Sequence, residues 1–551
     1  MNRSFAFTSA IPAAILLLVL GMVSSVFAQT ASTRVSTIKK RDATPRLRTS
    51  KPTHGHPTSG VYYEIFVRSF YDSNGDGIGD LNGVTQKLGY LKWLGVSGIW
   101  LMPINPSPSY HGYDVTHYRA INPQYGTMQD FKHLLTAAHR LGIKVIIDLV
   151  INHTSNRNPW FKAAQNPHSP YRNWYHWAGS KTHLKAISVV GGPVWRADGK
   201  QHYMGIFCPC MPDLNYNNPA VRHEMIAIGR FWLRKGVDGF RLDAARHLYV
   251  KRPSQVHNPV AVGKDIAWWR QFRQGIDRVN PHAYLIGEVT DNDYRQMAPY
   301  FKPLNATFDF PLAQRLIKMA AKERNDHLGA TLVAIQKVYR AATGHYVQDA
   351  PFLSNHDQNR VMSDLHGNLN HMRVAAQLLL TLPGNPFIYY GEAIGMRGVK
   401  PDPHLREPMR WELSRSAPGE TTWEASPIPA AEDVSVAAER KQPGSLLRLY
   451  RTLIHWRQQI APLRDGVVAR YPISNPAIVT YRLSDPEAQI LVVHNLSGQS
   501  HTVDLLAHRY GRFDSVLRKT RTNIRLNRDS LEMPPYSTAI LEAHHSGIHR
   551  H

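Results

Sequence analysis

The feature that most constrains the fold of this chain is a repeated alternation of strand-like and helix-like segments across residues 60–390. Short apolar runs, such as residues 98–102 and 144–150, predict buried strands. Residues 131–141 carry apolar side chains at positions i, i+3, i+4 and i+7, which predicts an amphipathic helix. About eight such repeats favour an α/β fold in which a parallel sheet, covered by helices, closes into a (β/α)8 TIM barrel.

The predicted barrel strands can be placed individually. They are residues 61–67, 98–102, 144–150, 236–243, 283–288, 307–310, 351–355 and 386–390. No Gly-x-Gly-x-x-Gly turn follows the first strand, which argues against an open dinucleotide-binding sheet.

Two stretches depart from this alternation. A segment rich in Trp, His and Pro after the third strand is too long for a barrel loop and predicts a small inserted domain. After a last helix at 446–456, short β-alternating runs separated by turns predict a C-terminal antiparallel β-sandwich. The predicted domains are the barrel (59–152 and 219–460), the inserted domain (153–218) and the sandwich (461–543).

The first 28 residues have the pattern of a secretory signal peptide. Arg3 precedes an apolar run at 11–20, and Val26-Phe27-Ala28 supplies a cleavage site before Gln29. An uncleaved anchor is the alternative. No other apolar run is long enough to span a bilayer, so we expect a secreted or periplasmic protein without stable membrane insertion after cleavage.

The formal net charge of +24 raises the question of a nucleic-acid partner. Residues 29–58 combine many basic residues with Ser, Thr and Pro, which predicts a disordered basic linker. The other basic residues are scattered rather than interleaved with aromatic residues, so we expect no nucleic-acid binding. The His-rich residues 544–551 are also predicted to be disordered, and we assume a monomer.

The two cysteines, Cys208 and Cys210, are two positions apart. A disulfide at this spacing is strained, and no Cys or His residues lie at zinc-binding spacing. We therefore expect free thiols or an incidental pair rather than a disulfide framework.

Polar residues end several of the predicted strands, and the C-terminal ends of barrel strands are where catalysis occurs. Arg241 and Asp243 point the same way along one strand, so the guanidinium would help to keep the carboxylate ionised. Taken alone, such a pair is more typical of a structural ion pair. Buried ionisable groups are costly unless paired or used, and further ones end neighbouring strands: Asn152, His153, Glu288, His356 and Asp357.

Four motifs, in this order, resemble those of the α-amylase family of glycoside hydrolases (family 13). They are residues 148–153 (DLVINH), 239–243 (GFRLD), 287–289 (GEV) and 352–357 (FLSNHD). Residues 111–114 (HGYD) and 211–215 (MPDLN) resemble two further motifs of the family. The resemblance covers nearly the whole chain from residue 60. It is strongest to secreted or periplasmic α-amylases intermediate between the oligo-1,6-glucosidase and neopullulanase groups.

The resemblance implies a retaining glycosidase with Asp243 as nucleophile, Glu288 as general acid/base and Asp357 as the third carboxylate. Such an enzyme needs an ionised carboxylate and a protonated carboxyl group about 5 Å apart. Desolvation near Asp357 would raise the pKa of Glu288. The residues implied to bind the substrate are Tyr113, Asp114, His153, Arg241 and His356.

Residues 72–80 (DSNGDGIGD) alternate oxygen-bearing side chains with glycines, as loops that wrap a hard cation do. They lack the twelfth-position Glu of an EF-hand and resemble instead a calcium loop of oligosaccharide-cleaving family members; a solvated acidic turn is the alternative. The expected calcium ligands are Asp72, Asn74, Asp76, Asp80 and the Ile78 carbonyl. A second calcium site implied by the resemblance uses Asn152, Asp213 and the His247 carbonyl.

The expected reaction is endo-hydrolysis of α-1,4-glucosidic bonds in starch, maltodextrins and related α-glucans through a covalent glycosyl-enzyme intermediate. The alternative is an exo-acting α-glucosidase or a transglycosylase, such as a trehalose synthase, acting on short malto-oligosaccharides. A non-catalytic carbohydrate-binding protein on the same barrel is disfavoured, because all three carboxylates are present.

Overall fold

The computed structural model describes residues 60–429 and 434–543. The predicted signal peptide, basic linker and His-rich tail lie outside these residues. Within the described ranges, no helix is both long enough and apolar enough to cross a membrane.

The strands of the described chain are short. They are β1 (Tyr62–Ile65), β2 (Gly98–Leu101), β3 (Lys144–Leu149), β4 (Trp195–Asp198), β5 (Gln201–Met204), β6 (Gly239–Leu242), β7 (Tyr284–Gly287), β8 (Ala306–Thr307), β9 (Phe387–Tyr389), β10 (Val467–Arg470), β11 (Ile478–Ser484), β12 (Gln489–Asn495), β13 (His501–Asp504), β14 (Ser515–Lys519), β15 (Arg525–Asn527), β16 (Ser530–Met533) and β17 (Ser537–Glu542).

Most of the α-helices alternate with the first nine strands or precede the C-terminal sheets, and one short helix lies between β13 and β14. They are α1 (Val67–Phe70), α2 (Leu81–Leu94), α3 (Met128–Arg140), α4 (Pro159–Ala164), α5 (Pro219–Lys235), α6 (Pro259–Asp277), α7 (Tyr294–Met297), α8 (Phe310–Lys322), α9 (Leu328–Thr343), α10 (Val361–Asp364), α11 (Leu369–Thr381), α12 (Asp402–Leu405), α13 (Val436–Lys441), α14 (Leu446–Gln459), α15 (Ala461–Asp465) and α16 (Ala507–Tyr510).

A parallel sheet in the order β8-β7-β6-β3-β2-β1-β9 forms most of the barrel wall. Residues around Ala350 close the remaining gap: Ala350 bridges Phe308 in parallel, and the Phe387 amide donates to the Pro351 carbonyl (2.9 Å). The sheet therefore runs around the full circle, which confirms the (β/α)8 barrel.

The sequence predicts a strand at 351–355, but the structure has none there. Pro351 has no backbone N–H, so it donates no ladder hydrogen bond, and the pairing ends after the single bridge at Ala350. The predicted strand at 307–310 is also too long. Asp309 caps α8 by accepting a hydrogen bond from the Leu312 amide (2.9 Å), so Phe310 begins a helix instead.

Large side chains fill the inside of the barrel. Tyr62 stacks on Tyr284 and Phe387, with ring centroids 5.2 Å and 5.0 Å apart, and Trp100 packs on Phe308 at 5.5 Å. These residues are buried and belong to one cluster. The barrel interior is therefore a packed core, and the polar residues that follow the strands are left at its C-terminal rim.

The junction of α5 and β6 sets the position of the first polar pair. Gly236 ends α5 in the left-handed conformation (φ 103°), which glycine adopts without steric penalty. β6 begins three residues later and pairs in parallel with β3 and β7. Arg241 therefore lies inside the strand, opposite Asp148, and Asp243 lies just beyond its end.

The excursion between β3 and α5 contains α4 and an antiparallel pair, β4 and β5. Cys208 and Cys210 are joined by a disulfide in this segment. The expectation of free thiols is therefore wrong, and the incidental pair is what the fold contains.

The C-terminal residues form two antiparallel sheets, in the orders β10-β11-β12-β17-β14 and β13-β16-β15. Apolar side chains of both sheets share one core, for example Leu491 and Leu541 from the first and Val503 and Leu531 from the second. This arrangement confirms the predicted antiparallel sandwich. The sequence pattern had not indicated β10, β14, β15 or β16.

Candidate active site

One guanidinium group organises the C-terminal rim of the barrel. Arg241, which is only 1 % exposed, lies 2.5 Å from Asp243 and 3.1 Å from Asp148 through Nη1, and 2.8 Å from Glu288 through Nη2. These residues come from β6, β3 and the end of β7. The pair that looked structural in isolation is thus the centre of a cluster of carboxyl groups.

Glu288 has a second contact that fixes its side chain. Its Oε2 accepts a hydrogen bond from the Ala244 amide (2.9 Å). Ala244, directly after Asp243, has a positive φ of 46°, a conformation that is strained for a residue other than glycine. The strained turn therefore aims a backbone donor at Glu288 and ties it to the segment that carries Asp243.

Asp357 lies in a second group of charges. Its carboxylate is 2.9 Å from Arg406 Nη2 and 3.1 Å from His356 Nε2. The other ring nitrogen of His356 lies 2.5 Å from Glu64, a buried carboxylate in β1. The Arg406 Nε also donates to the His356 carbonyl (2.9 Å), so that both residues of the pair are held.

The pKa values in this cluster diverge. Burial raises the pKa of Glu288, and the nearby Asp243 and Asp357 carboxylates add to this effect while Arg241 opposes it. Burial also raises the pKa of Asp243, against Arg241. For Asp357, burial acts to raise the pKa, but His356 and Arg406 outweigh it and hold the pKa well below its usual range. Glu288, whose raised pKa favours the protonated form, thus lies near Asp357, whose lowered pKa favours the ionised form.

Tyr113 connects the two groups of charges. Its hydroxyl donates to Asp148 Oδ2 (3.0 Å) and contacts His356 Nε2 (2.6 Å), and its ring stacks on His356 with centroids 5.4 Å apart. Its backbone carbonyl contacts His153 Nε2 (3.2 Å). Asp114 accepts hydrogen bonds from Ser107 (2.6 Å) and Ser109. The sequence-predicted catalytic and substrate-binding residues are therefore brought to one rim.

Three residues of the cluster were not assigned a role from the sequence: Glu64, Asp148 and Arg406. Glu64 and Asp148 interrupt apolar strands. A charged residue inside a buried strand is rare unless it is paired, so both residues could have been recognised from the sequence as members of a charge cluster. Burial raises the pKa of Asp148 to about 7, with Arg241 opposing and Asp243 reinforcing the rise. Arg406 follows α12 in a long connection, where no periodicity indicated its contact with Asp357.

The predicted calcium loop lies between α1 and α2. Asp72 accepts from the Gly75 and Gly77 amides (2.7 Å each), and Asp80 accepts from the Ser73 and Gly83 amides (2.8 Å each). Positive φ angles at Gly75 and Gly77 produce the tight turns. In the described ranges, no three Asp, Glu, His or Cys side chains converge as metal ligands. The loop instead combines carboxylate, amide and carbonyl oxygens, the donor chemistry that calcium uses.

The contacts at the predicted second calcium site do not fit a metal ion. The Lys251 ammonium lies 2.6 Å from Asn152 Oδ1 and 2.9 Å from Asp213 Oδ1. Asn152 also donates to Asp213 (2.6 Å), and the His247 ring nitrogen faces the Val250 carbonyl (3.2 Å). An ammonium group of the chain itself lies between the predicted ligand oxygens of Asn152 and Asp213, so these residues do not fit the predicted second calcium ion.

With this geometry in view, comparison with known proteins places the chain. The family model for the α-amylase catalytic domain matches residues 64–466. The chain belongs to the α-amylase family. A second model, for the C-terminal domain of the α-amylase SusG, matches residues 478–540.

Relatives within the α-amylase family carry more than one named activity. The chain is 39 % identical to Alpha-amylase 3 of Dictyoglomus thermophilum, covering 88 % of this chain and 93 % of that one. It is 32 % identical to the trehalose synthase/amylase TreS of Mycolicibacterium smegmatis, over 81 % of this chain and 85 % of that one. The crystal structure of an α-amylase from H. orenii superposes with a TM-score of 0.81 at 44 % identity, covering 89 % of this chain and all of that one.

Proposed function

We propose that the protein hydrolyses internal α-1,4-glucosidic bonds of starch and maltodextrins, with retention of the anomeric configuration. The observation that carries the proposal is the single Arg241 guanidinium that binds Asp243 at one end and Glu288 at the other. Retaining glycosidases use two carboxyl groups about 5–5.5 Å apart, one as nucleophile and one as acid/base. Asp243 and Glu288 bind the two Nη atoms of one guanidinium, so their carboxyl groups are neighbours, as the required separation demands.

In the first step, a carboxylate oxygen of Asp243 attacks the anomeric carbon while Glu288 gives its proton to the glycosidic oxygen. The glycosidic bond breaks, the leaving chain departs with the proton, and a glycosyl ester forms on Asp243. The raised pKa of Glu288 favours the protonated form that this step needs. The charge of Asp357, held ionised by His356 and Arg406, offsets the positive charge that develops on the sugar ring.

In the second step, water attacks the anomeric carbon of the ester, and the Glu288 carboxylate takes one proton from that water. The bond to Asp243 breaks, the sugar leaves with its original configuration, and both carboxyl groups return to their starting states. At the same rim, His153 and His356 would hydrogen-bond the sugar hydroxyls, Tyr113 would stack on the sugar ring, and Asp114 would help to frame the pocket.

A maltoheptaoside blocked at its non-reducing end tests internal cleavage. An endo-acting enzyme releases shorter blocked and unblocked fragments, which chromatography separates. Absence of cleavage, together with turnover of the unblocked heptaoside, would show that the enzyme attacks from the chain end.

A second candidate is transfer of the glycosyl group to another sugar, because a relative at 32 % identity is named a trehalose synthase/amylase. In that case a sugar hydroxyl replaces water in the second step. Incubation with maltose separates the two activities: glucose as the main product supports hydrolysis, and trehalose as the main product supports transfer.

We also propose that residues 72–80 bind calcium. The donors would be Asp72, Asn74, Asp76, Asp80 and the Ile78 carbonyl, and the ion would stabilise the loop that leads into α2. The proposal is supported by the oxygen-only donor set and by the glycine turns at 75 and 77.

We propose in addition that the mature protein is secreted or periplasmic and begins at Gln29. The support is the basic, apolar and small-residue pattern of residues 1–28. N-terminal sequencing of protein from the culture medium and the periplasm tests this. Recovery of the chain in the membrane fraction with Met1 still present would support an anchor instead.

A further inference from the structure

His356 lies between two carboxyl groups at the C-terminal rim of the barrel. Its Nδ1 is 2.5 Å from Glu64 Oε1, and its Nε2 is 3.1 Å from Asp357 Oδ2. The His356 side chain is fully buried and that of Glu64 is 2 % exposed. Neither the ring nor the Glu64 carboxylate is exposed, so the protonation of Nδ1 must match Glu64, whereas the Asp357 side chain is 46 % exposed and also faces solvent.

A neutral imidazole carries one N–H and one lone pair. In one neutral tautomer the Nδ1 lone pair would face Glu64. In the other, the Nε2 lone pair would face Asp357 and the Tyr113 hydroxyl, 2.6 Å away, whose only proton is donated to Asp148. Only the imidazolium form donates in both directions, and charge-assisted hydrogen bonds of this kind are the strong ones. Burial acts to lower the pKa of His356, but Asp357 and Glu64 raise it to about 9.

We propose that Glu64 is a positioning residue that keeps His356 in its imidazolium form, so that Nε2 always presents a proton to Asp357 and to the bound sugar. The inference deepens the proposed glycosidase function and rests on it. Glu64 lies in the first strand and contacts neither of the reacting carboxyl groups directly; it acts through the ring of His356.

The charges around His356 explain why Glu64 is needed. Arg406 binds the His356 carbonyl, and the Arg241 guanidinium lies 5.8 Å from the Tyr113 ring that stacks on His356. On their own these two cations would favour a neutral ring. The groups that oppose them are Glu64 from β1, Tyr113 from the connection after β2, Asp148 from β3, Asp243 after β6 and Asp357 beside the ring. The edge of Trp100, 5.5 Å away, covers another side of the ring. Asp148 and Asp243 already bind Arg241. Glu64 is the carboxylate that pairs with His356 at Nδ1.

The variant Glu64→Gln removes the charge with little change in shape. Its matched control is Glu392→Gln, another buried glutamate, whose pKa burial raises to about 8 and which contacts Tyr450 (2.8 Å) rather than His356. The first readout is the ¹⁵N shift of the His356 ring in histidine-labelled protein, assigned by comparison with His356→Asn. We expect an imidazolium at pH 7.5 in the wild type and in Glu392→Gln, and deprotonation at least about one pH unit lower in Glu64→Gln.

The second readout is the pH dependence of kcat/KM with α-maltotriosyl fluoride. Fluoride leaves without a proton from Glu288, so the alkaline limb reports other groups. We expect kcat/KM of Glu64→Gln to be close to the wild type at pH 5.5, about threefold below it at pH 8.5, and to approach about tenfold below it above pH 9.5, as a limb moved by one pH unit requires. Glu64→Asp, which retains the charge, should keep more of the alkaline activity.

A neutral His356 at pH 7 in the wild type, or an unchanged His356 titration in Glu64→Gln, would overturn the proposal. If Glu64→Gln does not fold, the wild-type titration and that of Glu64→Asp decide, since both must show the imidazolium. The ring titration needs no turnover, and the fluoride assay does not depend on endo-cleavage. Failure of the endo-hydrolysis proposal is therefore distinguishable from failure of this one.

Discussion

Two clusters of ionisable side chains in this enzyme contain both carboxyl groups and cations, but in different proportions. At the barrel rim, five carboxyl groups (Glu64, Asp148, Asp243, Glu288 and Asp357) share three cationic side chains, Arg241, His356 and Arg406. At the base of the inserted segment, one carboxylate, Asp213, meets one ammonium, Lys251, beside Asn152. The first cluster has carboxyl groups in excess, and the second is balanced.

The difference in proportion produces a difference in protonation. Burial and the surplus of negative charge raise the pKa values of Glu288 and Asp243. At Asp213, burial also acts to raise the pKa, but Lys251 and the Ile206 amide lower it overall. A surplus of carboxyl groups supplies a protonated acid for chemistry, whereas a matched pair supplies a stable junction between the barrel and the inserted segment.

The largest expected effect is on catalysis at the rim. We expect Asp243→Asn to lower kcat/KM on maltoheptaose by at least about 10⁴-fold, because the nucleophile is lost. The unfolding free energy, measured by urea titration, should not fall, because one member of a carboxyl surplus has been neutralised. A variant that retained wild-type turnover would contradict the role of Asp243.

The next effect is on stability at the junction. Lys251→Met leaves the buried Asp213 without its cation, and breaking a buried ion pair costs about 3–5 kcal/mol. Urea unfolding should show this loss, while the folded fraction keeps its specific activity. Lys318→Met, at an exposed position of α8, is the control and should be near neutral. Equal stability of the two variants would mean that Lys251 contributes no more than a surface residue.

The same two clusters show how far sequence reasoning reaches. The spacing of Arg241 and Asp243 on one strand placed both at the rim correctly, since side-chain alternation follows from strand geometry alone. Lys251 could not be placed, because it lies in an irregular turn after β6, where no period relates it to Asn152, which is 99 positions away. Motif resemblance therefore suggested a metal where the chain supplies its own cation.

Elements were predicted best where burial produced a clear period. The apolar period at residues 131–141 agrees with α3, which runs from Met128 to Arg140. The sequence predicts a strand at 351–355, whereas the structure has a single β-bridge at Ala350. The hydrogen bonding there depends on Pro351 and on neighbours distant in sequence, which the local pattern does not reveal. β14 and β15 are partly exposed and short, so neither has a buried face that alternation could reveal.

A third cation-binding place, the loop at residues 72–80, would take its ion from solvent. If calcium binds there, saturating calcium at about 100 times its Kd should add about 2.7 kcal/mol to the stability. Thermal unfolding with calcium and with a chelator measures the difference. Asp76→Asn should reduce the response, and Lys251→Met should leave it unchanged. If the chelator did not change the Tm of the wild type, this result would contradict the calcium proposal.

The smallest expected effect is the pH dependence of the junction. Because the pKa of Asp213 is lowered in the folded state, its contribution to stability is present above its unfolded value of about 4 and is lost as the pH falls below that. The gap in unfolding free energy between wild type and Lys251→Met should therefore narrow from pH 6 to pH 3. A gap that stayed constant would show that Lys251 acts through packing rather than charge.

The most direct test of the catalytic assignment is to trap the glycosyl ester. Glu288→Gln slows the second step, so incubation with a maltosyl fluoride, followed by acid quenching and peptide mass spectrometry, should reveal one added maltosyl group. The account predicts that this group is carried by the peptide containing Asp243. A label on Asp357 or Asp148, or no label and a product of inverted configuration, would contradict it.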